Sequence, residues 1–454
     1  MSDAIHLPER IFREYDIRGI AGKEIDARFA RRLGNAFARM LPPGGGPVVV
    51  GRDVRHSGVD YQRAVIEGLT AAGRDVLDIG MVPTPLAYFT VFTQKSAGCI
   101  MVTASHNPAE YNGFKMMIGR ESMHGARIQE LMELMRQPPE VAADPGRVTE
   151  REMVRDYHDF VTGDVRLARP LTVVVDAGNG PAGVVAAPIY RALGCRVIEL
   201  YCEPDGDFPN HHPDPTVAEN MVDLQARVRR ERADLGIAFD GDGDRIGVVD
   251  ERGEIIYGDM LLLLLARGVL KAHPGAAIIS EVKCSQRMYD DIAAHGGRGI
   301  MWRTGHSPIK AKMKESGAKL AGEMSGHIFF ADRYFGFDDA IYAGARVLEM
   351  VAARPGPISA MLDGIPPAVT TPEIRVECPD ARKFALVEEA KAHFAALGYE
   401  IIDVDGMRIK FADGWGLVRA SNTQPALVLR FEAPDEARLA EMRRLIEGWL
   451  EARL

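Results

Sequence analysis

"ADLGIAFDGDGDR", residues 233–245, joins an apolar run from Leu235 to Phe239 to three aspartates set at alternate positions between glycines. The run reads as a buried strand and the glycines as a tight turn beyond its end. Two other stretches share the plan: "AGCIMVTASHNP" at 97–108 and "GAKLAGEMSGH" at 317–327. Each has two forerunners in the same order. The first forerunners are "PVVVGRD" at 47, "LTVVVDAGNG" at 171 and "AAIISEVK" at 276. The second are "AAGRDVLDIG" at 71, "ALGCRVIEL" at 192 and "AHGGRGIMW" at 294, each a helix end, a glycine stop and a short strand. Three ordered copies of a β-α-β pattern predict three similar mixed α/β domains. Each presents one polar loop at the end of a strand, where ligands of open α/β sheets bind.

Proline and glycine clusters at 136–148 and 353–369, and the end of the second motif near 251–258, mark the boundaries. The expected domains are 1–148, 149–252, 253–366 and 367–454. The last breaks the pattern: an extended start, a helix around "ALVEEAKAHFAALG", short strands through "LVLRFEA" and a closing amphipathic helix predict a smaller α+β domain. It carries a loop of its own, "RASNTQP" at 419–425.

The chain has 454 residues, 46% of them hydrophobic, enough to bury several cores. A net charge of −9, with basic residues scattered, argues against nucleic acid or an anionic membrane as partner. Positive charge for an anionic ligand must therefore be local. The apolar run "LLLLLA" at 261–266 is far shorter than the roughly 20 residues of a membrane span and reads as a buried helix face. The opening "MSDAIHLPERIF" lacks the basic and apolar segments of a signal peptide. Five cysteines without close pairs read as reduced, buried thiols. A cytoplasmic protein is expected.

Asp240, Asp242 and Asp244 would repel one another if brought to one point without a counter-charge. A divalent cation resolves that repulsion, and three carboxylates leave magnesium open positions for a phosphate oxygen. A solvated acidic turn is the plain alternative. A calcium loop is the sharper one, since Asp240, Asp242, Asp244 and Glu251 fall at EF-hand ligand positions, but Arg245 stands where that loop needs glycine. Ser105 and His106 are adjacent in sequence, which does not by itself make a hydrolase dyad, and no G-x-S-x-G elbow is present. With His106 and Lys115 supplying positive charge, Ser105 suits phosphate better than acyl chemistry, and a phosphoserine would complete the metal site. A capping or turn hydroxyl is the alternative.

Glu323 and Ser325 sit at alternate positions and can hold two vicinal sugar hydroxyls, with His327 available for proton transfer or phosphate. A satisfied turn is the alternative. Arg419 can grip phosphate in bidentate fashion, with Ser421, Asn422 and Thr423 adding donors.

"YDIRG" at 15–19, "TASHNP", "YNGFK" at 111–115, "DGDGDR", "GEMSGH" and "VRASNTQP", in this order, resemble the motifs of the α-D-phosphohexomutase family over essentially the whole chain, most of all its bacterial phosphomannomutase/phosphoglucomutase branch. The resemblance implies a heart-shaped four-domain molecule with its active site in a shared cleft. It implies that Ser105 is a phosphoserine that donates its phosphoryl group to a hexose 1- or 6-phosphate and regains one from the bisphosphorylated sugar. By the same resemblance Ser105, Asp240, Asp242 and Asp244 hold Mg2+, and glucose 1,6-bisphosphate or mannose 1,6-bisphosphate serves as activator and intermediate. Glu323 and Ser325 match the sugar-hydroxyl pair, and Arg419, Ser421, Asn422 and Thr423 the site of the non-reacting phosphate. Lys115 and His327 are the candidates for general acid and base, with His306 of "TGHSP" and Arg18 supporting; Tyr15, Arg245 and Lys283 match other cleft positions. Met324 and Tyr111 stand where the phosphoglucosamine mutase branch carries glutamine and aspartate, which favours mannose and glucose phosphates. The expected enzyme is a monomeric isomerase acting on hexose phosphates. A phosphoglucosamine mutase and a magnesium-dependent sugar phosphatase are the alternatives, the latter leaving Ser105 and the sugar pair without a role.

Overall fold

The computed structural model describes residues 6–421 and 424–454. The chain divides into two compact units, one formed by the segment ending at Leu261 with Ser325–Met361, the other by Leu262–Met324 with Leu362–Leu454.

The threefold pattern is present as strand topology. In the first unit the strand Val48–Arg52 pairs in parallel with Val76–Met81 on one side and Gly98–Val102 on the other. Thr172–Asp176 does the same with Arg196–Leu200 and Leu235–Phe239. In the second unit Ala277–Glu281 lies between Arg298–Trp302 and Leu320–Gly322, again in parallel. A helix follows each first strand and each second strand: Gly58–Ala71 and Thr84–Thr93, Gly183–Ala192 and Val222–Glu231, Gln286–Ala294 and His306–Ser316. Parallel strands covered on both faces need unbroken apolar residues. Val48, Val49 and Val50 are accordingly all fully buried, each stabilising the fold by roughly 1.5–3 kcal/mol relative to exposure. A charge at Val49 would break this sheet from its centre.

An antiparallel partner then returns the chain after the polar loop: Tyr111–Ile118 beside Gly98–Val102, and Ile246–Asp250 beside Leu235–Phe239. Both loops therefore sit at the same topological place, beyond the end of the third strand of a copy. The "LGIAF" run is a strand and not an entering helix, which removes the calcium-loop alternative. The 261–266 run is buried in the helix Gly258–Ala272, and no helix among the described residues is long and apolar enough to cross a membrane. All five cysteines are free and buried.

Residues 369–451 form the expected α+β arrangement, a mainly antiparallel sheet that includes Val369–Thr370 and Ala426–Ala433, with the helices Asp380–Ala396 and Glu436–Glu451. Within the second unit Arg408 anchors this sheet. Its Nη1 donates to the carbonyls of Val282 (2.6 Å) and Cys284 (2.8 Å), and its guanidinium lies 3.8 Å from the Trp415 ring centroid.

Candidate active site

In the first unit the loop after Gly98–Val102 puts Ser105 at φ +53°, in the left-handed region. For a residue with a side chain this costs about 1–3 kcal/mol and persists only where neighbours over-determine it. Here they do. The Ser105 amide donates to Thr103 Oγ1 (2.9 Å), and its carbonyl accepts from Arg55 Nη2 (2.8 Å). Arg55 also donates to the Tyr111 carbonyl (2.9 Å) and is itself buried against Asp53 (3.2 Å). The aspartate loop then closes on the serine loop. A Cβ at Gly241 would stand 2.4 Å from the Ser105 carbonyl oxygen, so this approach requires glycine.

Carboxylate oxygens of Asp240, Asp242 and Asp244 lie within 4.8 Å of one another, and all three residues are fully buried. Ser105 Oγ donates to Asp240 Oδ2 (2.7 Å) and stands 3.0 Å from His106 Nδ1. Asp242 Oδ2 accepts from Thr84 Oγ1 (2.6 Å) and Lys115 Nζ (2.7 Å), and Lys115 also contacts Asp244 Oδ2. Asp240 Oδ1 accepts from the amides of Asp244 (3.0 Å) and Arg245 (3.1 Å). Asp242 Oδ1 and Asp244 Oδ1 are buried without a hydrogen-bond partner among the described residues. Burial and mutual repulsion push the Asp240 carboxyl well above the usual carboxylate range, and burial pushes Asp244 up as well. Burial would raise Asp242 too, but Lys115 and Thr84 hold it below that range. Two unsatisfied oxygens and a cluster driven to retain protons are what a divalent cation would relieve, so the donor set fits one.

Of the two groups expected to bring positive charge to the serine, Lys115 does so, whereas His106 is held neutral. Arg18 Nε donates to Asp16 Oδ2 (2.8 Å) and its Nη1 to Asn107 Oδ1 (2.7 Å) in the serine loop. Burial opposes the charge on Lys115, yet the carboxylates of Asp242 and Asp244 outweigh it and hold the ammonium well above its ordinary range. Burial, with Arg245, Arg18 and Lys115 nearby, keeps His106 neutral. Arg245 Nε donates to His327 Nε2 (3.1 Å). The Ile246 amide donates to the Gly326 carbonyl (3.0 Å), which fastens the end of "GEMSGH" beside "DGDGDR". Tyr15 and Ser325 are half-buried in the same unit.

The second unit brings together a different set. The Lys283 ammonium pairs with Glu373 Oε2 (3.2 Å). Glu323 Oε1 accepts from the Gly305 amide (2.7 Å), just before His306 at the start of the helix His306–Ser316. Arg419 Nε donates to Asp405 Oδ2 (3.1 Å), which also accepts the Thr304 amide (3.0 Å). Glu281, fully buried, accepts from the amides of Lys283 (2.8 Å) and Met324 (3.3 Å) and from Thr304 Oγ1 (3.1 Å). Ser421 Oγ accepts from the Gln424 amide (3.1 Å). Asn422 and Thr423 lie outside the described residues.

Sequence reading passed over Asp53, Arg55, Thr84 and Thr103 in the first unit, and Glu281 and Asp405 in the second. Asp53 and Glu281 carried a signal, a single carboxylate closing a β-branched run in "VVVGRD" and "AIISE". The others are ordinary polar residues that reach the site through partners distant in the chain: Arg55 and Ser105 are 50 positions apart, Thr103 and Asp242 139, Thr84 and Asp242 158, and Asp405 and Arg419 14.

A serine held in a rare backbone conformation on a buried carboxylate cluster, at the end of a repeated α/β sheet, defines a class: multidomain α/β proteins with a site fit for a divalent cation beside a serine. Family models described as phosphoglucomutase/phosphomannomutase match most of the chain: alpha/beta/alpha domain I at residues 9–138, domain II at 155–253, domain III at 257–369 and the C-terminal domain at 373–447. The phosphomannomutase/phosphoglucomutase of Pseudomonas aeruginosa is 46% identical over 447 residues, covering 98% of this chain and 96% of the relative. The phosphoglucomutase of Neisseria gonorrhoeae is 46% identical, covering 97% of each. The crystal structure of a phosphoglucomutase/phosphomannomutase family protein from Burkholderia thailandensis superposes with a TM-score of 0.92 at 45% identity, covering 98% of each chain. The chain belongs to the phosphoglucomutase/phosphomannomutase family.

Proposed function

We propose that this protein is an isomerase that interconverts hexose 1-phosphates and hexose 6-phosphates of mannose and glucose through a phosphoserine at Ser105. The observation that carries the reading is the seat of Ser105: buried, left-handed, its Oγ 2.7 Å from a carboxylate of a three-aspartate cluster. An exposed turn serine needs none of this.

In the reading, the phosphoryl group on Ser105 Oγ passes to the free hydroxyl of a hexose phosphate. The P–O bond to serine breaks as the P–O bond to sugar forms, and a base takes the hydroxyl proton. The resulting 1,6-bisphosphate turns over and returns its other phosphoryl group to Ser105, taking the proton back on the oxygen it leaves. Asp240, Asp242 and Asp244 would hold Mg2+, which when bound offsets negative charge on the phosphoryl oxygens. Arg18, Lys115 and Arg245 supply further positive charge, and His106, neutral beside Ser105 Oγ, fills the space next to the nucleophile. His327 is the stronger candidate for acid and base, supported by His306, since the contacts of Lys115 with Asp242 and Asp244 favour a fixed cation. Glu323 and Ser325 hold the sugar hydroxyls in both orientations. Arg419, Ser421, Asn422 and Thr423 hold the phosphate that is not reacting, with Lys283 and Tyr15 completing the contacts. One fixed grip with two allowed orientations lets each end of the sugar reach the same serine. Glucose or mannose 1,6-bisphosphate is the activator that primes Ser105. The proposal includes the four domains at 1–148, 149–252, 253–366 and 367–454 and a cytoplasmic monomer.

Phosphorus NMR tests it. The protein is given magnesium, a trace of glucose 1,6-bisphosphate and, separately, mannose 1-phosphate, glucose 1-phosphate and glucosamine 1-phosphate. Conversion of the first two to 6-phosphates without free phosphate is expected. A preference for the third would reassign the substrate to the amino sugar, and release of inorganic phosphate would overturn the mutase reading.

A further inference from the structure

Lys383, in the first turn of the helix Asp380–Ala396, is a buried cation of the second unit, 4% exposed. Its Nζ donates to the carbonyls of Ser421 (2.5 Å) and Gln424 (2.9 Å) and to Asp380 Oδ1 (2.6 Å). An ammonium has three N–H donors, and all three are engaged. The one charged acceptor, Asp380, has a side chain 62% exposed, so the ammonium is buried chiefly against two backbone carbonyls. Taking an ammonium out of water is costly, and an aliphatic side chain would fill the same space without that cost. The two carbonyls belong to the loop "RASNTQP": Ser421 precedes Asn422 and Thr423, and Gln424 follows them. The same two residues are joined a second time by the Gln424 amide, which donates to Ser421 Oγ (3.1 Å). The loop is tethered to the start of the helix by the Cys378 amide, which donates to the Pro425 carbonyl (3.0 Å).

We propose that Lys383 is a positioning residue for the phosphate loop: its ammonium holds the carbonyls of Ser421 and Gln424 together and so sets the span of the loop whose residues Ser421, Asn422 and Thr423 receive the non-reacting phosphate. With every donor engaged inside the chain, Lys383 does not bind the phosphate itself and acts only through the loop. Fixing the loop before the ligand arrives removes the cost of ordering it on binding, so the contribution falls on affinity. The non-reacting phosphate is held alike in the ground state and the transition state, which places that contribution in KM and not in kcat. The effect on KM rests on the mutase reading and its phosphate site, but the clamp on the loop does not.

Two readouts separate the clamp from the reaction. Lys383→Met nearly keeps the length of the side chain and removes its donors. The first readout is hydrogen exchange, by mass spectrometry, of the peptide spanning residues 419–426, in which the amides of Ser421, Gln424 and Ala426 are hydrogen-bonded. Exchange should be faster by about tenfold in the variant, on the scale of losing a hydrogen bond to a charged group. An unchanged rate overturns the proposal whether or not the protein is a mutase. The second readout is turnover of glucose 1-phosphate by the magnesium-loaded protein, where KM should rise by about tenfold with kcat within about twofold. A KM that stays put, or a kcat lowered as much as KM is raised, overturns the proposal. Absence of turnover in the unaltered protein sinks the mutase reading instead, and the exchange rate then decides the clamp alone. Should Lys383→Met fail to fold, Lys383→Gln carries the test, because its uncharged amide still donates to one carbonyl. Exchange and KM should each rise by about threefold, as for a weaker, neutral hydrogen bond; values equal to those of the unaltered protein overturn the proposal.

Discussion

In the first unit the carboxylates of Asp240, Asp242 and Asp244 converge on one point, with two oxygens lacking hydrogen bonds among the described residues. In the second, Glu281, Glu323 and Asp405 each accept backbone amides and tie loops together. The first arrangement is incomplete in itself and is relieved by a cation from outside. The second is satisfied internally and fixes the loops around it. Carboxylates of both kinds, Asp240 and Glu323 among them, lie beyond strand ends of repeated α/β copies, so these copies have diverged in what their acids do and not in where they stand.

That contrast can be broken in several places. The largest effect is expected at the nucleophile of the first unit. Ser105→Ala should fold and lose turnover by about 10^4-fold or more, on the scale of removing a nucleophile; full activity would refute the assignment. Next is the scaffold beneath it. Arg55→Met strands Asp53 without its counter-charge and should destabilise the first unit by about 3–5 kcal/mol, read as an earlier denaturant transition. An unmoved transition would show that the serine loop does not depend on this pair. Asp242→Asn should weaken magnesium activation by about 10- to 100-fold, followed by a titration of activity against the metal. In the second unit Arg419→Ala should raise KM by about tenfold and leave kcat nearly unchanged, since it removes binding shared by ground and transition states. A kcat loss as large as that of Ser105→Ala would erase the distinction between the units.

The smallest effect is a pH control in the first unit, away from the cluster. Burial would depress His211, but the Asp176 carboxylate 3.0 Å from its Nε2 outweighs it, so its pKa is raised above the ordinary value. The folded state thus binds this proton more tightly than the unfolded state. The stabilisation is fully present below about pH 6.5 and is lost as pH rises through the higher folded value. Thermal midpoints of His211→Gln and the unaltered protein should converge from pH 5.5 to 8.5, while the pH profile of turnover stays the same in both.

Much of this was legible in one dimension. Strand order and loop placement follow from apolar runs with glycine stops, because a strand buried on both faces must be continuously apolar. The "DGDGDR" cluster was readable because its ligands are neighbours in the chain. Ser105 was readable as a hydroxyl after a strand, but its φ of +53° was not, since nothing local demands it. Arg55 imposes that conformation through carbonyls 50 and 56 residues away. The role of Lys115 was open between proton carrier and fixed cation, and its contacts with Asp242 and Asp244 favour the cation.

What the sequence by itself determined is the repeated architecture, the family and the residue types that gather beyond the strand ends, because periodicity and short-range spacing survive without coordinates. What only the tertiary structure decided is the electrostatic state of those residues: which carboxylate is held down, which is pushed up, which histidine nitrogen accepts and which loops are tied to which. Protonation depends on burial and on charges within a few ångströms, and those neighbours are brought together by folding from distant parts of the chain.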